Sequence, residues 1–216
     1  MSKKISSSLI PHPSSPKKLV VGLTGGIASG KSTALREFKK CGAHVICLDE
    51  SAHQVLEPGE KGYSPVVRAF GKEILDVQKR IDRHRLGQRV FQNTSQLRRL
   101  ESITHPLILQ KMKKRVGGVK KGVVIVDVPL LFEKHLQSLF DLTILVYADS
   151  ARQLKRLWER NGFSRREALR RFRSQWSMQR KEGLADLILR NTQRKRHLAQ
   201  QVREFYRAFE LLMAHN

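Results

Sequence analysis

The stretch "VGLTGGIASGKSTALREF", residues 21 to 38, joins an apolar, β-prone run to a run of helical composition through a loop of small residues. Glycines in such a loop permit positive φ angles and leave room for a ligand close to the backbone. The loop turns successive N–H groups inward, and the N-terminus of the following helix adds partial positive charge, so that an anion can bind. The sequence therefore predicts a strand, an anion-binding loop and a helix, in this order.

Residues 25 to 32 match the pattern G-x-x-x-x-G-K-[ST] of the phosphate-binding loop. In this pattern the lysine, here Lys31, reaches the β- and γ-phosphates of a nucleotide, and the hydroxyl of Ser32 joins the Mg²⁺ shell. The alternative, a glycine-rich turn with a lysine present by chance, is disfavoured by the flanking strand and helix. We therefore predict an ATP site formed by Gly25, Gly26, Ile27, Ala28, Ser29, Gly30, Lys31, Ser32 and Thr33.

The composition is that of a globular protein of 216 residues, 40% of them hydrophobic. No apolar run approaches the roughly 18 residues of a membrane span, and Cys41 and Cys47 fit neither a disulfide framework nor a metal site. We therefore expect a soluble protein of the reducing cytoplasm with no membrane partner. Residues 1–18 are rich in Ser, Pro and Lys, and we expect them to form a flexible tail.

The formal net charge of +23 fits either a nucleic-acid-binding protein or an enzyme with polyanionic substrates. The basic residues are moderately concentrated between residues 151 and 200. Aromatic residues make up only 6% of the chain, and no basic motif interleaved with aromatic residues is present. Together with the phosphate-binding loop, this makes nucleic acid the less favoured partner.

Apolar runs alternate with helical patterns along the chain, which predicts an α/β fold with a parallel sheet. The predicted strands are Leu19–Leu23, Ala43–Leu48, Gly122–Val126, Leu142–Tyr147 and Leu187–Leu189. Between residues 50 and 116 the segments "SPVVRAF", "DRHRLGQRVF", "TSQLRRLESI" and "HPLILQKMKKRV" instead predict successive helices, which we interpret as an inserted substrate lobe.

Two further segments of the chain have helical composition. Residues 151 to 183 are dense in arginine and could form a mobile lid. Thr192 to about Met213 predicts one amphipathic helix that packs on the core. Its apolar face consists of Leu198, Val202, Phe205, Phe209 and Leu212.

Two carboxylates follow predicted strands, at the sheet edge where ligands of open α/β sheets bind. Asp127 ends the run "VVIVD" and is suited to the metal shell together with Ser32. Asp49 ends "HVICLD" and either takes a proton from an acceptor hydroxyl or is the N-cap of a helix beginning at Glu50.

Beyond Asp127, Pro129 stops the strand, and three apolar residues follow: Leu130, Leu131 and Phe132. Their side chains either pack against a neighbouring element or form a wall for an apolar part of the substrate. His105-Pro106 has a structural interpretation as well, because proline is favoured in the first turn of a helix. The residues alone leave these alternatives open.

Six segments, in order and approximate spacing, resemble those of the dephospho-CoA kinases: "GLTGGIASGKST", "VICLDESAHQV", "IDRHRLGQRVF", "THPLI", "DVPLLFE" and "ADLILRN". The resemblance extends from Leu19 to about Tyr206. It implies a P-loop kinase of the nucleoside-monophosphate-kinase type, with a five-stranded parallel sheet of order 2-3-1-4-5. Residues 19–216 would form a single domain with a helical CoA-binding insertion at about 50–116 and a lid at about 151–183.

The resemblance also implies the reaction and its site residues. The γ-phosphoryl group of ATP would pass to the ribose 3′-hydroxyl of dephospho-CoA, with Mg²⁺ as cofactor and without an obligate protein partner. Lys31 and Asp49 would be catalytic, the latter as base, and Asp127 and Ser32 would hold the metal. The other implied contacts are the lid arginines Arg160 and Arg171 with Gln175 after them, Asn191 near adenine, and substrate contacts at His105, Leu130, Leu131 and Phe132.

The chain departs from the family pattern at three positions. Cys47 stands where the family usually has aspartate, His53 where it usually has arginine, and Ala28 where it often has glycine. The first two bear on how the acceptor is held near Asp49, and they leave the phosphoryl-transfer residues intact.

Two other functions compete with this prediction. The first is another P-loop small-molecule or nucleotide kinase, which "DVPLLFE" and the helical insertion disfavour. The second is an ATP-dependent nucleic-acid-binding protein. It should need a further basic or aromatic binding module, which the sequence does not contain.

Overall fold

A computed structural model of the chain describes residues 17–91, 93–161, 165–193 and 195–214. The described residues form two compact units. One contains those up to Ile46 and those from Gly118 onward, and the other is Cys47–Gly117. Most of the predicted tail, residues 1–16, lies outside the described ranges. Its last residue, Lys18, instead begins the first strand, and the carbonyl of Lys17 accepts a hydrogen bond from Gly122 N at 2.7 Å.

The sheet has five strands in the order β2-β3-β1-β4-β5, which confirms the predicted topology. Strand β1 pairs in parallel with β3 and β4, and β4 pairs in parallel with β5. The strands are β1 (Lys18–Gly25), β2 (His44–Cys47), β3 (Gly122–Asp127), β4 (Leu142–Tyr147) and β5 (Leu187–Arg190).

Nine α-helices are assigned within the described ranges: α1 (Lys31–Lys40), α2 (Leu48–Gln54), α3 (Tyr63–Phe70), α4 (Arg83–Phe91), α5 (Thr94–Gly118), α6 (Ser150–Asn161), α7 (Arg165–Arg173), α8 (Met178–Glu182) and α9 (Lys195–Ala214). Short 3₁₀ helices cover Lys72–Ile74 and Gln137–Leu139. None of the described helices combines the length and the apolar composition that a membrane crossing requires.

The first unit buries the sheet beneath helices. In β1 every residue from Leu19 to Gly25 is buried, as expected for a central parallel strand covered on both faces. Helices α1 and α9 pack together through the stacked rings of Phe38 and Phe209, whose centroids lie 6.5 Å apart. The predicted apolar face of α9 enters this core except at Leu212, which is 47% exposed, whereas the next residue, Met213, packs against the core.

The second unit has a separate core on its helices α3 and α4. This core is formed by Val66, Phe70, Ile74, Ile81, Leu86 and Val90, with Leu97, Leu100 and Ile103 of α5 packed against it. Asp82 ends the preceding loop, and its Oδ1 accepts hydrogen bonds from the backbone N–H groups of His84 and Arg85 at 2.9 and 3.1 Å. These bonds fix the first turn of α4.

Helix α5 corrects one prediction. The break expected before His105-Pro106 is absent, and a single helix of 25 residues runs from Thr94 to Gly118 with Pro106 inside it. A proline removes one hydrogen bond from a helix interior and restricts the preceding turn, but it does not have to end the helix. Here Thr104, Met112 and Val116 are buried on both sides of the proline, so packing outweighs the lost bond.

Candidate active site

The phosphate-binding loop connects β1 to α1 in a tight, internally bonded turn. The N–H of Ser29 donates to the carbonyl of Gly26 at 3.0 Å, and Gly30 precedes the helix with φ 101°. Ala28 also adopts a left-handed conformation, with φ 57°. This is the position where the family often has glycine, so the alanine bears a steric cost here that glycine would not.

Side chains from outside the loop hold its carbonyl groups. Gln153 Nε2 donates to the carbonyl of Ile27 at 3.0 Å, and Arg156 Nη1 donates to that of Ala28 at 3.2 Å. The carbonyl of Ser29 accepts from Asn191 Nδ2 at 2.7 Å and from Arg156 Nη1 at 3.3 Å. Three consecutive loop carbonyls are therefore hydrogen-bonded to side chains of helix α6 and of Asn191, the residue after β5.

In a trans peptide the N–H points opposite to the carbonyl, so these contacts also orient the N–H groups. In the loop and the first turn of α1, the backbone N–H groups of Ala28, Gly30, Lys31 and Ser32 donate to no acceptor within the described residues. They occupy the loop and the first turn of α1, where the helix dipole is positive. The geometry is that of an anion-binding nest.

Lys31 and Asp127 form an ion pair through Lys31 Nζ and Asp127 Oδ1. Lys31 is the first residue of α1 and Asp127 the last residue of β3. Their side chains are only 18% and 8% exposed, so the pair is largely removed from water. The structure thus brings together the two residues that the sequence assigned to phosphate and metal.

Asn191 supports the loop from behind. It follows β5, is 5% exposed, and its N–H donates to the carbonyl of Tyr147 at 2.7 Å. A Cβ added to Gly30 would lie 2.0 Å from Asn191 Nδ2, so this close approach requires glycine. The sequence named Asn191 as a nucleotide contact, and in the structure its amide touches the loop backbone itself.

The three apolar residues after Pro129 divide into two groups. Leu131 and Phe132 are fully buried, and a Cβ added to Gly22 would lie 2.7 Å from Leu131 Cδ1. These two side chains therefore pack in the core, as the packing alternative expects, and are no exposed wall for a substrate here. Leu130 is 37% exposed and remains the candidate substrate contact of this loop.

Asp49 belongs to the second unit and lies within helix α2. Strand β2 ends at Cys47, and Cys47 rather than Asp49 occupies the N-cap position of α2. The N-cap alternative for Asp49 is therefore wrong, because the helix begins two residues earlier than the sequence suggested. The Asp49 carboxylate is exposed and makes no hydrogen bond or ion pair within the described part of this unit.

The other predicted acceptor-side residues also lie in this unit. His53 is near the end of α2, and its Nδ1 is 3.4 Å from Arg83 Nη1 at the start of α4. His105 lies inside α5, directly before Pro106, and is half-buried. Arg83 thus lies beside His53, the position where the family usually has arginine.

The predicted lid arginines are only partly covered by the structure. Arg160 lies in α6 and Arg171 in α7, and the side chains of both are outside the described part of the chain. Gln175 follows α7, and its Oε1 accepts a hydrogen bond from Ile27 N at 2.9 Å. The segment after α7 therefore contacts the phosphate-binding loop directly.

Sequence reasoning missed Gln153 and Arg156, both on α6. Nothing near them in the sequence distinguishes Arg156 from the other arginines of this basic segment. Gln153 offers a weak signal, because it lies four residues before the buried Leu157 and shares its helix face. Sequence reasoning also missed a buried ion pair between Lys181 Nζ and Glu133 Oε1, which lie 2.7 Å apart; Glu133 is the glutamate of "DVPLLFE".

Comparisons with known proteins agree with this geometry. A family model described as dephospho-CoA kinase matches residues 19–196. A dephospho-CoA kinase of Carboxydothermus hydrogenoformans is 44% identical over 176 residues, which cover 80% of this chain and 85% of that protein.

Two solved structures, each 29% identical in sequence, have the same fold. One from Thermus thermophilus superposes with a TM-score of 0.79, covering 89% of this chain and 98% of that chain. The other, a dephospho-CoA kinase from Campylobacter jejuni, gives a TM-score of 0.60 and covers 89% and 97%. The chain belongs to the dephospho-CoA kinase family and has the P-loop kinase fold that its motifs predict.

Proposed function

We propose that this chain transfers the γ-phosphoryl group of ATP to the ribose 3′-hydroxyl of dephospho-CoA, giving CoA and ADP. The observation that carries the proposal is the phosphate-binding loop with the first turn of α1: the carbonyls of residues 27–29 are held by side chains, while the N–H groups of Ala28, Gly30, Lys31 and Ser32 have no protein acceptor within the described residues. Family membership names the acceptor class. The remaining steps concern how individual residues would serve this reaction.

Lys31 is the cation of the proposed phosphate site. Lys31 is the first residue of α1, and its ammonium forms an ion pair with the Asp127 carboxylate. Because the transition state of phosphoryl transfer is loose and spreads charge over the transferred oxygens, a fixed cation there stabilises it. Asp127 holds this ammonium near the loop, and a phosphate would give it a second anionic partner.

The oxygen donors at the site fit Mg²⁺. Ser32 is exposed at the second position of α1 and Asp127 supplies a carboxylate, whereas no group of three or more His, Cys, Asp or Glu within the described residues could hold a metal alone. Mg²⁺ is typically bound by one or two carboxylates together with substrate phosphates and water. Bound there through Ser32 and Asp127, it would neutralise charge on the β- and γ-phosphates.

Asp49 is the proposed base for the acceptor hydroxyl. A ribose hydroxyl is a weak nucleophile at neutral pH, so a carboxylate that accepts its hydrogen bond and then its proton accelerates the transfer. The Asp49 carboxylate is exposed in its own unit and has no competing partner there. It is therefore available to a hydroxyl group.

The other sequence-predicted contacts complete the proposal. The helical insertion at about 50–116 would provide the CoA lobe, with His105 among its contacts, and Leu130 is a further proposed contact of the acceptor. Arg160 and Arg171 would neutralise the transferred phosphate from the lid, and Asn191 would set the loop on which ATP lies. A cytoplasmic location, without a required protein partner, stays a prediction.

An acceptor panel tests the proposal. ADP release is measured by a coupled assay with ATP, Mg²⁺ and either dephospho-CoA, AMP or adenosine as acceptor, and the product is examined by ³¹P NMR. We expect turnover with dephospho-CoA and a new 3′-phosphomonoester signal. Turnover with AMP alone would instead support the nucleotide-kinase alternative. Binding of random RNA that weakens steeply with salt, without turnover of any acceptor, would support the nucleic-acid alternative.

A further inference from the structure

The backbone of Ile27 in the phosphate-binding loop is held by two glutamines. Its N–H donates to Gln175 Oε1 at 2.9 Å, and its carbonyl accepts from Gln153 Nε2 at 3.0 Å. One glutamine therefore acts as acceptor and the other as donor for the same residue. We refer to Gln153 and Gln175 as the glutamine pair.

The pair comes from two separate elements. Gln153 lies on the first turn of α6 and is fully buried, while Gln175 lies in the segment between α7 and α8 and is half-buried. The position of Gln153 depends on Gly26, because a Cβ there would lie 2.3 Å from Gln153 Nε2 and 2.9 Å from Met178 Sδ. Glycine at this position leaves the space that the buried amide occupies.

A second contact fixes the segment that carries Gln175. The N–H of Trp176 donates to Glu133 Oε1 at 3.3 Å, and the same oxygen lies 2.7 Å from Lys181 Nζ. Lys181 is fully buried, and Glu133 is 11% exposed at its side chain. Separating a buried carboxylate from its cation is costly, because it leaves a buried charge without a partner. Gln175 is therefore held in two ways. Its side chain accepts a hydrogen bond from Ile27, and the N–H of the next residue, Trp176, is bonded to Glu133.

The consequence for the loop follows from peptide geometry. The carbonyl of Ile27 and the N–H of Ala28 belong to the same planar group and point in opposite directions. Because Gln153 Nε2 holds the Ile27 carbonyl, the Ala28 N–H points away from Gln153. This N–H donates to no acceptor within the described residues. Without Gln153 this peptide could rotate and present its carbonyl oxygen to a phosphate, which would repel it.

We propose that Gln153 and Gln175 are positioning residues for ATP: they fix the peptide planes around Ile27 so that the Ala28 N–H faces the phosphates. The proposal rests on ATP as the nucleotide of the proposed function, but it does not depend on the acceptor. The two glutamines differ in what they must supply. Gln153 must donate, so glutamate cannot replace it, whereas Gln175 must accept, so glutamate can.

Amide hydrogen exchange, followed by NMR on the complete chain without nucleotide, tests the Gln175 contact. We expect the Ile27 N–H to exchange at least about tenfold faster in Gln175→Leu than in the wild type, because its acceptor is lost. In Gln175→Glu a carboxylate oxygen still accepts, so slow exchange should be retained. Equal exchange in the wild type and Gln175→Leu would overturn this contact.

ATP affinity, measured by titration calorimetry with Mg²⁺ and no acceptor, tests Gln153. We expect Gln153→Leu, and Gln153→Asn as a milder variant that shortens the side chain, to weaken ATP binding about tenfold. Gln201→Leu is the matched control, because Gln201 makes the same two hydrogen bonds to the backbone of Arg190, at 3.0 Å each. It should lower the melting temperature with little change in ATP affinity.

The outcomes separate this proposal from the proposed function. ATP binding within twofold of the wild type in both Gln153 variants, or equal weakening in Gln201→Leu, would overturn the positioning role. A wild-type chain that binds ATP but does not phosphorylate dephospho-CoA would overturn the acceptor assignment and leave the glutamine pair unaffected.

Discussion

The ammonium of Lys31 and the carboxylate of Asp127 form an ion pair that joins the first residue of α1 to the last residue of β3. Each is the charge that stabilises the other in a largely dry environment, with side-chain exposures of 18% and 8%. Replacing one partner therefore has two separable effects, one on phosphoryl transfer and one on folding.

For Lys31→Met we expect a loss of turnover of about 10²-fold or more, because the phosphates lose a fixed cation. We also expect a loss of about 1–3 kcal/mol in the free energy of unfolding, because Asp127 stays partly buried without this counter-charge. Adding Asp127→Asn should restore stability but not turnover. Urea denaturation and the ADP-release assay measure the two effects. Recovery of turnover in the double variant would show that Lys31 has only a structural role.

Replacement of Asp49 by Asn tests the base. The amide keeps the shape of the side chain but cannot take a proton, so turnover should fall by about 10²- to 10⁴-fold while ATP binding is retained. Glu50→Gln is the control, since Glu50 is the next residue of α2 and pairs with Arg115 at 3.5 Å. It should retain most turnover. An Asp49→Asn enzyme with wild-type turnover would rule out the role of Asp49 as a base.

Replacement by glycine should change the free energy of unfolding in opposite directions at Ala28 and at Ala34. At φ 57° the Ala28 side chain costs about 1–2 kcal/mol, and glycine would remove this cost while adding about 0.5–1 kcal/mol of unfolded-state entropy. Ala28→Gly should therefore raise the free energy of unfolding by up to about 1 kcal/mol. Ala34→Gly, inside α1, should lower it by about 1–2 kcal/mol, because glycine is unfavourable in a helix and the Ala34 methyl group is fully buried. Urea denaturation measures both, and a loss at residue 28 equal to that at residue 34 would contradict the strain at Ala28.

Asp82 should make the second unit sensitive to acid. Backbone hydrogen bonds from Arg85 and His84 hold the pKa of this carboxyl below its ordinary value of 3.8. Because the folded-state pKa is the lower one, the carboxylate adds stability above pH 3.8, and this stability is lost as the pH falls through the folded-state pKa. The melting temperatures of the wild type and Asp82→Asn, measured from pH 6 to about pH 2, should therefore converge in acid. A difference that stays constant with pH would contradict this role.

The strands and the phosphate-binding loop could be predicted because their signals are local. Buried parallel strands form continuous apolar runs, and a phosphate-binding loop has a fixed spacing of glycine, lysine and serine. Even here the ends were less certain: β2 ends at Cys47, so that Asp49 is a helix residue rather than the last residue of a strand. Short polar residues after a strand fit both conformations equally well.

The supports of the loop could not be predicted, because each joins residues far apart in the sequence. Gln153 and Arg156 lie 126 and 128 positions from the loop carbonyls that they hold. Local periodicity and motifs do not indicate such contacts, because the contacts form only when the folded sheet brings these distant segments together. The burial of Leu131 and Phe132 was undecided for a similar reason, since an apolar residue after a strand can face either the core or a ligand.

The stacking of Phe38 on Phe209 has a consequence for the newly made chain on the ribosome. Helix α1 is synthesised early, but the helix that covers it, α9, comprises Lys195–Ala214, and β1 pairs with strands that begin only at Gly122 and Leu142. The apolar surface of β1 and α1 therefore stays uncovered until more than half of the chain has been synthesised after them. We expect Cys47–Gly117, whose core is formed by residues close in sequence, to gain structure first during translation.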